Sequence, residues 1–277
     1  MTYLRTMAWK SAIAWLVQTL MVATLPSPGV LGEGATMAEG PQPATLTADG
    51  IVQQLVAANA RRALALRGYR QTRSYSVSYH GFPGGRSAAM KVHASFTAPD
   101  KKDFTVLSQS GSKFLLNHVL LKLLDSEKEA WRGQSGKEME LTPDNYEFTF
   151  VEVEHTPEGE AYVLQVEPKI NNKYLYKGRI WVDAHDFAVT RLFAEPARNP
   201  SFWVSHTQID LRYAKFGDFW LPLHNDTVSH VRFGGDAVLT IDYTDYRIND
   251  AKQVQNARPS GHVPTLPPAN AVSGDPH

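Results

Sequence analysis

The hydrophobic positions of this chain follow two periods, and the period changes along its length. Ile51, Val52, Leu55, Ala58, Ala63 and Leu66 recur at helical spacing. Thr47 or Asp49 stands where a cap is needed, and Gly68 stands where the helix should stop. Arg61, Arg62 and Arg67 lie toward the C-terminal end, where the helix dipole favours cations. A second helix is predicted from Ser112 to Trp131. Its stretch "FLLNHVLLKLL" is apolar nearly all round, which predicts deep burial or a lid over something apolar.

Most of the remaining sequence alternates at period two. "YRQTRSYSVSY", "MKVHASFTA", "DFTVLSQS", "NYEFTFVEVE", "EAYVLQVEP", "YLYKGRIWV", "FAVTRLFAE", "FWVSHTQIDLRYA", "DFWLPLHNDTVSHVRF" and "DAVLTIDYTDYRI" read as about ten strands. The connectors "HGFPGGRS", "TPEGEA", "DAHD", "FGDF" and "FGGD" are short and mostly rich in Gly, Pro or Asp, as hairpin loops require. Parallel pairing needs far longer crossovers, so the sheet is antiparallel and mostly up-and-down. "NYEFTFVEV" and "EAYVLQV" carry apolar residues on both faces, unlike a flat sheet with one wet side. The expected fold class is α+β: a strongly curved antiparallel sheet, a half-barrel of about ten strands, wrapped around two or three helices.

The ends of the chain differ from this middle. "MTYLRTMAWK" is basic and free of acids, and Ser11–Leu25 is an uncharged, mostly apolar run. That run is shorter than the roughly 20 residues a membrane span needs. Residues 1–38 therefore read as an export signal cleaved after Ala38, and 39–46 as a linker. The folded domain is expected over 47–250, and 251–277 lacks the apolar content to fold. Export places the mature protein in the periplasm. Lys and Arg number 28, as do Asp and Glu, so no basic excess favours nucleic acid as a partner. The absence of Cys removes disulfides and thiolate chemistry.

Candidate chemistry is sparse. Asp183, His185 and Asp186 crowd together in "GRIWVDAHDFAV", between apolar runs. Asp is favoured at hairpin tips, so a turn is the first reading and a metal or acid–base site the second. His206, His224 and His230 lie on successive strands; they are either ordinary sheet histidines or zinc ligands of a hydrolase. His118 falls on the apolar second helix, and "SQSGS" reads as a strand end feeding that helix's cap. No nucleophile elbow, zinc-protease motif, P-loop or dinucleotide fingerprint is present. Aromatics such as Phe96, Phe104, Phe148, Phe150, Trp181, Phe193 and Trp220 run along nearly every strand. A curved sheet with two helices need not fill its concave side, and residual apolar space there would form a ligand cavity.

The order of elements, one helix, three strands, a buried helix and a long meander, resembles the outer-membrane lipoprotein-sorting (LolA/LolB-like) superfamily. "FTAPDKKDF" is similar to that family's strand, proline turn and strand, and "YKGRIWVDAHDFAVTRL" to its Trp–Asp hairpin. "YAKFGDFWLP" resembles its later hairpin, and "PSFWV" together with "GDFWLP" is similar to bacterial lipoprotein-sorting-like members. The resemblance spans about 46–250 and implies burial of acyl chains of lipoproteins or lipids beneath a helical lid. The family's carriers place an arginine before the turn proline to close that lid, whereas Ala98 precedes Pro99 here. Arg86 and Arg191 are the candidates to replace it.

The expectation is a non-enzymatic, monomeric periplasmic carrier without cofactor or metal that holds an acylated or hydrophobic ligand non-covalently. The alternating positions Val92, Phe96, Phe104, Val106, Phe148, Phe150, Leu164, Val166, Ile180 and Val182 are the expected cavity lining. Leu115, Val119 and Leu123 are expected on the lid. The alternative is a periplasmic sensor or scaffold binding an inner- or outer-membrane protein partner through its sheet edge or tail.

Overall fold

The computed structural model describes residues 47–250 apart from 83, 100, 132–139, 157–158, 173, 200–203 and 233. The expected signal, linker and tail lie outside the described residues. Helix α1 (Ala48–Ala65) begins where Thr47 accepts a hydrogen bond from the Gly50 N–H at 3.2 Å, and it buries Ile51, Val52, Leu55 and Ala58. It ends earlier than the sequence suggests. Strand β1 (Leu66–His80) takes over directly, and Gly68 lies inside that strand.

Next come β2 (Arg86–Thr97) and β3 (Lys101–Gly111). Ser112 caps the following helical segment, whose first turn is α2 (Lys113–Leu115). A π-helical turn at Leu116–Leu120 leads into α3 (Leu121–Trp131). The chain then runs through β4 (Tyr146–Thr156), β5 (Gly159–Pro168), β6 (Tyr176–Asp183), β7 (Val189–Pro196), β8 (Val204–Phe216), β9 (Phe219–Val231) and β10 (Asp236–Asp250).

These strands form one ten-stranded sheet in the order β3-β2-β1-β10-β9-β8-β7-β6-β5-β4. Every pairing is antiparallel, including β1 with β10, which brings the two ends of the domain together. A strand meander closed in this way would be a barrel if β3 also met β4. These two strands are instead the sheet's edges, and the chain between them is the part that forms the helical segment. The half-barrel is thus open, and the gap between its two edge strands is its seam. Hairpin tips need left-handed backbone; Gly217 (φ +61°) and Gly235 (φ +98°) supply it between β8 and β9 and between β9 and β10.

The concave face carries the main core. Val77, Met90, Val92, Leu164, Val166, Ile180, Leu211 and Ile241 come from the sheet, Ile51 and Leu55 from α1, and Leu115, Leu116, Val119, Leu120, Leu123 and Leu124 from the helical segment. The segment from Lys113 to Trp131 packs on β2 and β3, whereas α1 packs on β1 and β4. Beyond the Asp242–His224 pair β10 no longer pairs with β9, and a second cluster of Leu66, Tyr69, Phe96, Phe219 and Leu221 gathers beside the diverging end. No described helix is long and apolar enough to cross a membrane.

The helical segment is structural as well as positioned to cover. Leu120 is fully buried at the end of the π-helical turn, where it joins α3. Replacing Leu120 with Ala should cost about 2–5 kcal/mol in urea unfolding. A loss below about 1 kcal/mol would show that the segment packs on the sheet only loosely.

Candidate binding site at the open seam

Residues directly opposite each other in an antiparallel pair project to the same face. Phe148 faces Val166, Phe150 faces Leu164, and Val153 faces Tyr162, so the apolar side of β4 looks into the concave core. On the other edge Val106 faces Val92 and Phe104 faces Ala94. Both edges are open. Val106 retains 38% of its surface exposed and Phe150 39%, although each points toward the core side.

Each edge strand also carries one irregularity at an apolar residue. The β2–β3 register shifts at Leu107, and the β4–β5 register shifts at Val151. Bulges twist and bend an edge and blunt it against further pairing. Leu107, Val151 and Val153 are exposed as well, so the seam is flanked on both sides by accessible hydrophobic side chains.

The helical segment beside this seam is fastened by charge. Arg73 on β1 and Glu127 on α3 form a bidentate pair at 2.7 and 3.2 Å, and Lys102 on β3 reaches the same carboxylate at 2.5 Å. All three side chains are almost wholly buried. Arg73 also donates to the Tyr75 hydroxyl at 3.2 Å. The Gln71 amide oxygen accepts from Arg73 Nε and Nη2 at 2.8 and 2.9 Å. Phe104 and Tyr243 place their rings 5.3 and 5.1 Å from the guanidinium carbon.

Burial alone would push the Glu127 carboxyl up, but Arg73 and Lys102 reverse this and bring it down to about 2. Burial also pushes the Tyr75 hydroxyl up to about 12. The Tyr243 hydroxyl is buried and has no hydrogen-bond partner among the described residues.

The sequence candidates separate on this frame. Val92, Leu164, Val166, Ile180 and Val182 are fully buried core residues on the concave side, as are Leu115, Val119 and Leu123 on the helical segment. Phe104 and Phe148 pack against that core while staying partly open. Val106 and Phe150 line the accessible seam. Phe96 departs from expectation: it sits in the second cluster, with its ring 5.5 Å from Tyr69, because the end of β2 extends past the main core.

Neither proposed replacement arginine fastens α3. Arg86 lies over the Phe114 ring at 5.8 Å, and Arg191 pairs with Asp210 at 2.8 Å. The residue that does so is Arg73. Its signal was present in the sequence: Arg73 is in phase with Tyr75, Val77 and Tyr79, and Glu127 follows Leu123 by four positions on the apolar stripe.

The Asp183–Asp186 stretch is a hairpin tip. The Asp183 carboxylate accepts from the N–H groups of His185 and Asp186 at 3.0 and 2.6 Å. Arg62 of α1 donates to the carbonyls of Asp186 and Phe187, and Lys215 and Trp220 bind the Asp186 carboxylate. Burial opposes charge on Asp186, but those donors outweigh it and hold its carboxyl below the usual range. The group ties two hairpins and a helix together.

Among the histidines, His224 lies between Asp226 and Asp242 at 2.9 and 2.7 Å. Burial would lower its pKa, yet the two carboxylates raise it. His206 and His230 stack on each other with centroids 5.9 Å apart. Among the described residues no three His, Asp or Glu side chains are grouped to hold a metal ion.

No family model and no curated protein matches the chain. Several solved structures align with it at low identity. A putative outer-membrane lipoprotein-sorting protein domain from Vibrio parahaemolyticus aligns over 72% of this chain and 93% of its own, at 13% identity and TM-score 0.40. A DUF1329 family protein from Desulfovibrio piger aligns over 74% and 94%, at 13% identity and TM-score 0.36. MucB aligns over 71% and 92%, at 10% identity and TM-score 0.26.

The buried carboxylate sets a pH dependence. Its folded pKa lies below its ordinary value, so its stabilising contribution is complete above about pH 4.5 and declines as pH falls toward 2. Thermal melting from pH 6 to pH 2.5 should therefore show acid destabilisation. Glu127→Gln should be less stable at pH 6 by about 3–5 kcal/mol, because Arg73 is left buried without its counter-charge, and should show a shallower acid slope. Equal slopes would assign the acid response to other carboxylates.

Proposed function

We propose that this chain is an exported, periplasmic, non-catalytic binder that carries an acylated or otherwise apolar ligand in its half-barrel, entered at the seam between β3 and β4. The observation that carries this reading is the concentration of accessible hydrophobic side chains on the two edge strands. Val106 and Leu107 lie on one, and Phe150, Val151 and Val153 on the other. Accessible hydrophobic side chains gathered on the two edges are where an apolar ligand would find contact. The buried residues Val92, Leu164, Val166, Ile180 and Val182 supply the wall beyond it, and Leu115, Val119 and Leu123 the underside of the cover.

Burial is the source of affinity. Each methylene withdrawn from water contributes about 0.8 kcal/mol, so an acyl chain needs few polar contacts. Access requires the helical segment to move off β2 and β3, and its continuity with β3 through Gly111 and Ser112 provides a place to pivot.

A second reading is a scaffold for a membrane-protein partner. It is favoured by the same two edges, which have no neighbouring strand among the described residues and offer their unbulged stretches to an added one. Native mass spectrometry after gentle purification separates the two readings: co-purifying lipid supports the carrier, and a stoichiometric protein partner supports the scaffold.

Charge at the seam should abolish acyl binding while sparing the fold. The double variant Val106→Asp, Phe150→Asp should bind a palmitoylated peptide at least about tenfold more weakly, with a melting temperature within a few degrees of the parent. Unchanged affinity would remove the seam from the binding path.

A further inference from the structure

The ion group under the helical segment has an asymmetric origin. Arg73, Tyr75 and Gln71 on β1, Tyr243 on β10 and Lys102 on β3 all belong to the sheet; the carboxylate they surround, Glu127, is the helical segment's contribution. If α3 moves away, as the proposed function requires, the sheet keeps a cationic cradle and loses the anion within it. Arg73 retains Gln71 and Tyr75 as partners, while Nη1 and Nη2 lose their bidentate carboxylate. A buried guanidinium in that state is costly unless another anion replaces the first.

A second observation points the same way. The Tyr243 ring lies against the Arg73 guanidinium, and its buried hydroxyl is the one buried side-chain polar atom without a partner among the described residues. A donor left unmet in a core costs stability, whereas Phe at the same position would avoid the cost. Its presence is explained by an acceptor that arrives only in another state.

We infer that Glu127 is a built-in stand-in for a ligand's head, and that the cradle of Arg73, Lys102 and Tyr243 receives the anionic group of an amphiphile whose acyl chain lies along the seam. This deepens the proposed function, on which it rests, by naming the ligand class: an acyl chain bearing a carboxylate or phosphate. Arg73 supplies two parallel N–H donors, Lys102 an ammonium and Tyr243 a hydroxyl, a set that suits either anion. Ligand head and helical segment then compete for the same cations, so loading and opening are one equilibrium.

The test compares palmitate, hexadecyl phosphate and hexadecanol, which share a chain and differ in the head, by displacement of a fluorescent fatty acid from the full chain. The parent protein should prefer both anions to the alcohol by tenfold or more. Inorganic phosphate alone should displace nothing at millimolar concentration. Tyr243→Phe should lower the palmitate-to-hexadecanol affinity ratio at least threefold without lowering the melting temperature, an outcome that a purely structural tyrosine would not give. Glu127→Gln, where it folds, should raise that ratio.

Equal affinity for the three amphiphiles overturns the anion cradle and leaves the apolar binder standing. Failure of all three to bind overturns both. Displacement by inorganic phosphate alone overturns the assignment to an amphiphile. An unchanged ratio in Tyr243→Phe removes that hydroxyl from the site and overturns the cradle as drawn.

Discussion

The arrangement of this domain depends on one buried electrostatic contact, in which two cations from the sheet hold one carboxylate from the helix that covers it. Arg73 and Lys102 are separated by nearly thirty residues and lie on strands β1 and β3, with β2 between them. Glu127 joins them only because the helical segment folds back onto β2 and β3. Buried ion pairs seldom add much stability compared with a well-packed apolar alternative, but they tolerate only one geometry. The contact therefore fixes where the helix rests more than it strengthens the fold.

That placement matters because the sheet is open between β3 and β4. Closure through β1 and β10 leaves β3 and β4 as edges, and edges invite unwanted pairing. Here the bulges at Leu107 and Val151 interrupt both. The acids Glu147, Glu152 and Glu154 add charge along β4. Val106, Phe150 and Val153 stay partly exposed on the core-facing side of these edges, and this combination supports reading the seam as an entrance. Elsewhere the sheet is tied by polar contacts: the Asp183–Asp186 tip binds α1, β8 and β9.

The fold was legible in the sequence because its two periods are distinct and its connectors are too short for parallel crossovers. Alternation in "MKVHASF" and "EAYVLQV" assigned the correct face to Val92, Leu164 and Val166 before any register was known. Two errors have physical causes. Gly68 reads as a helix stop, yet the helix ends at Ala65 and the glycine serves the strand, because tertiary pairing with β2 and β10 overrides a local breaker. Phe96 continues the alternation of β2 correctly, but alternation does not say where one cluster ends and another starts. The Arg73–Glu127 pair was harder to see. Each residue is in phase with an apolar stripe, but pairing them needs the distance between a strand and a helix 54 residues later.

The most direct test of the account is whether the cover moves when an acyl chain enters. The chain has no native cysteine, so spin labels at Asp125→Cys on α3 and Glu152→Cys on β4 report a single distance across the seam. Pulsed electron–electron double resonance should show a longer-distance population that grows with added palmitoylated peptide. A distance distribution unchanged at a peptide concentration shown to saturate binding would contradict a cover that opens. Absence of any binding would contradict the carrier itself.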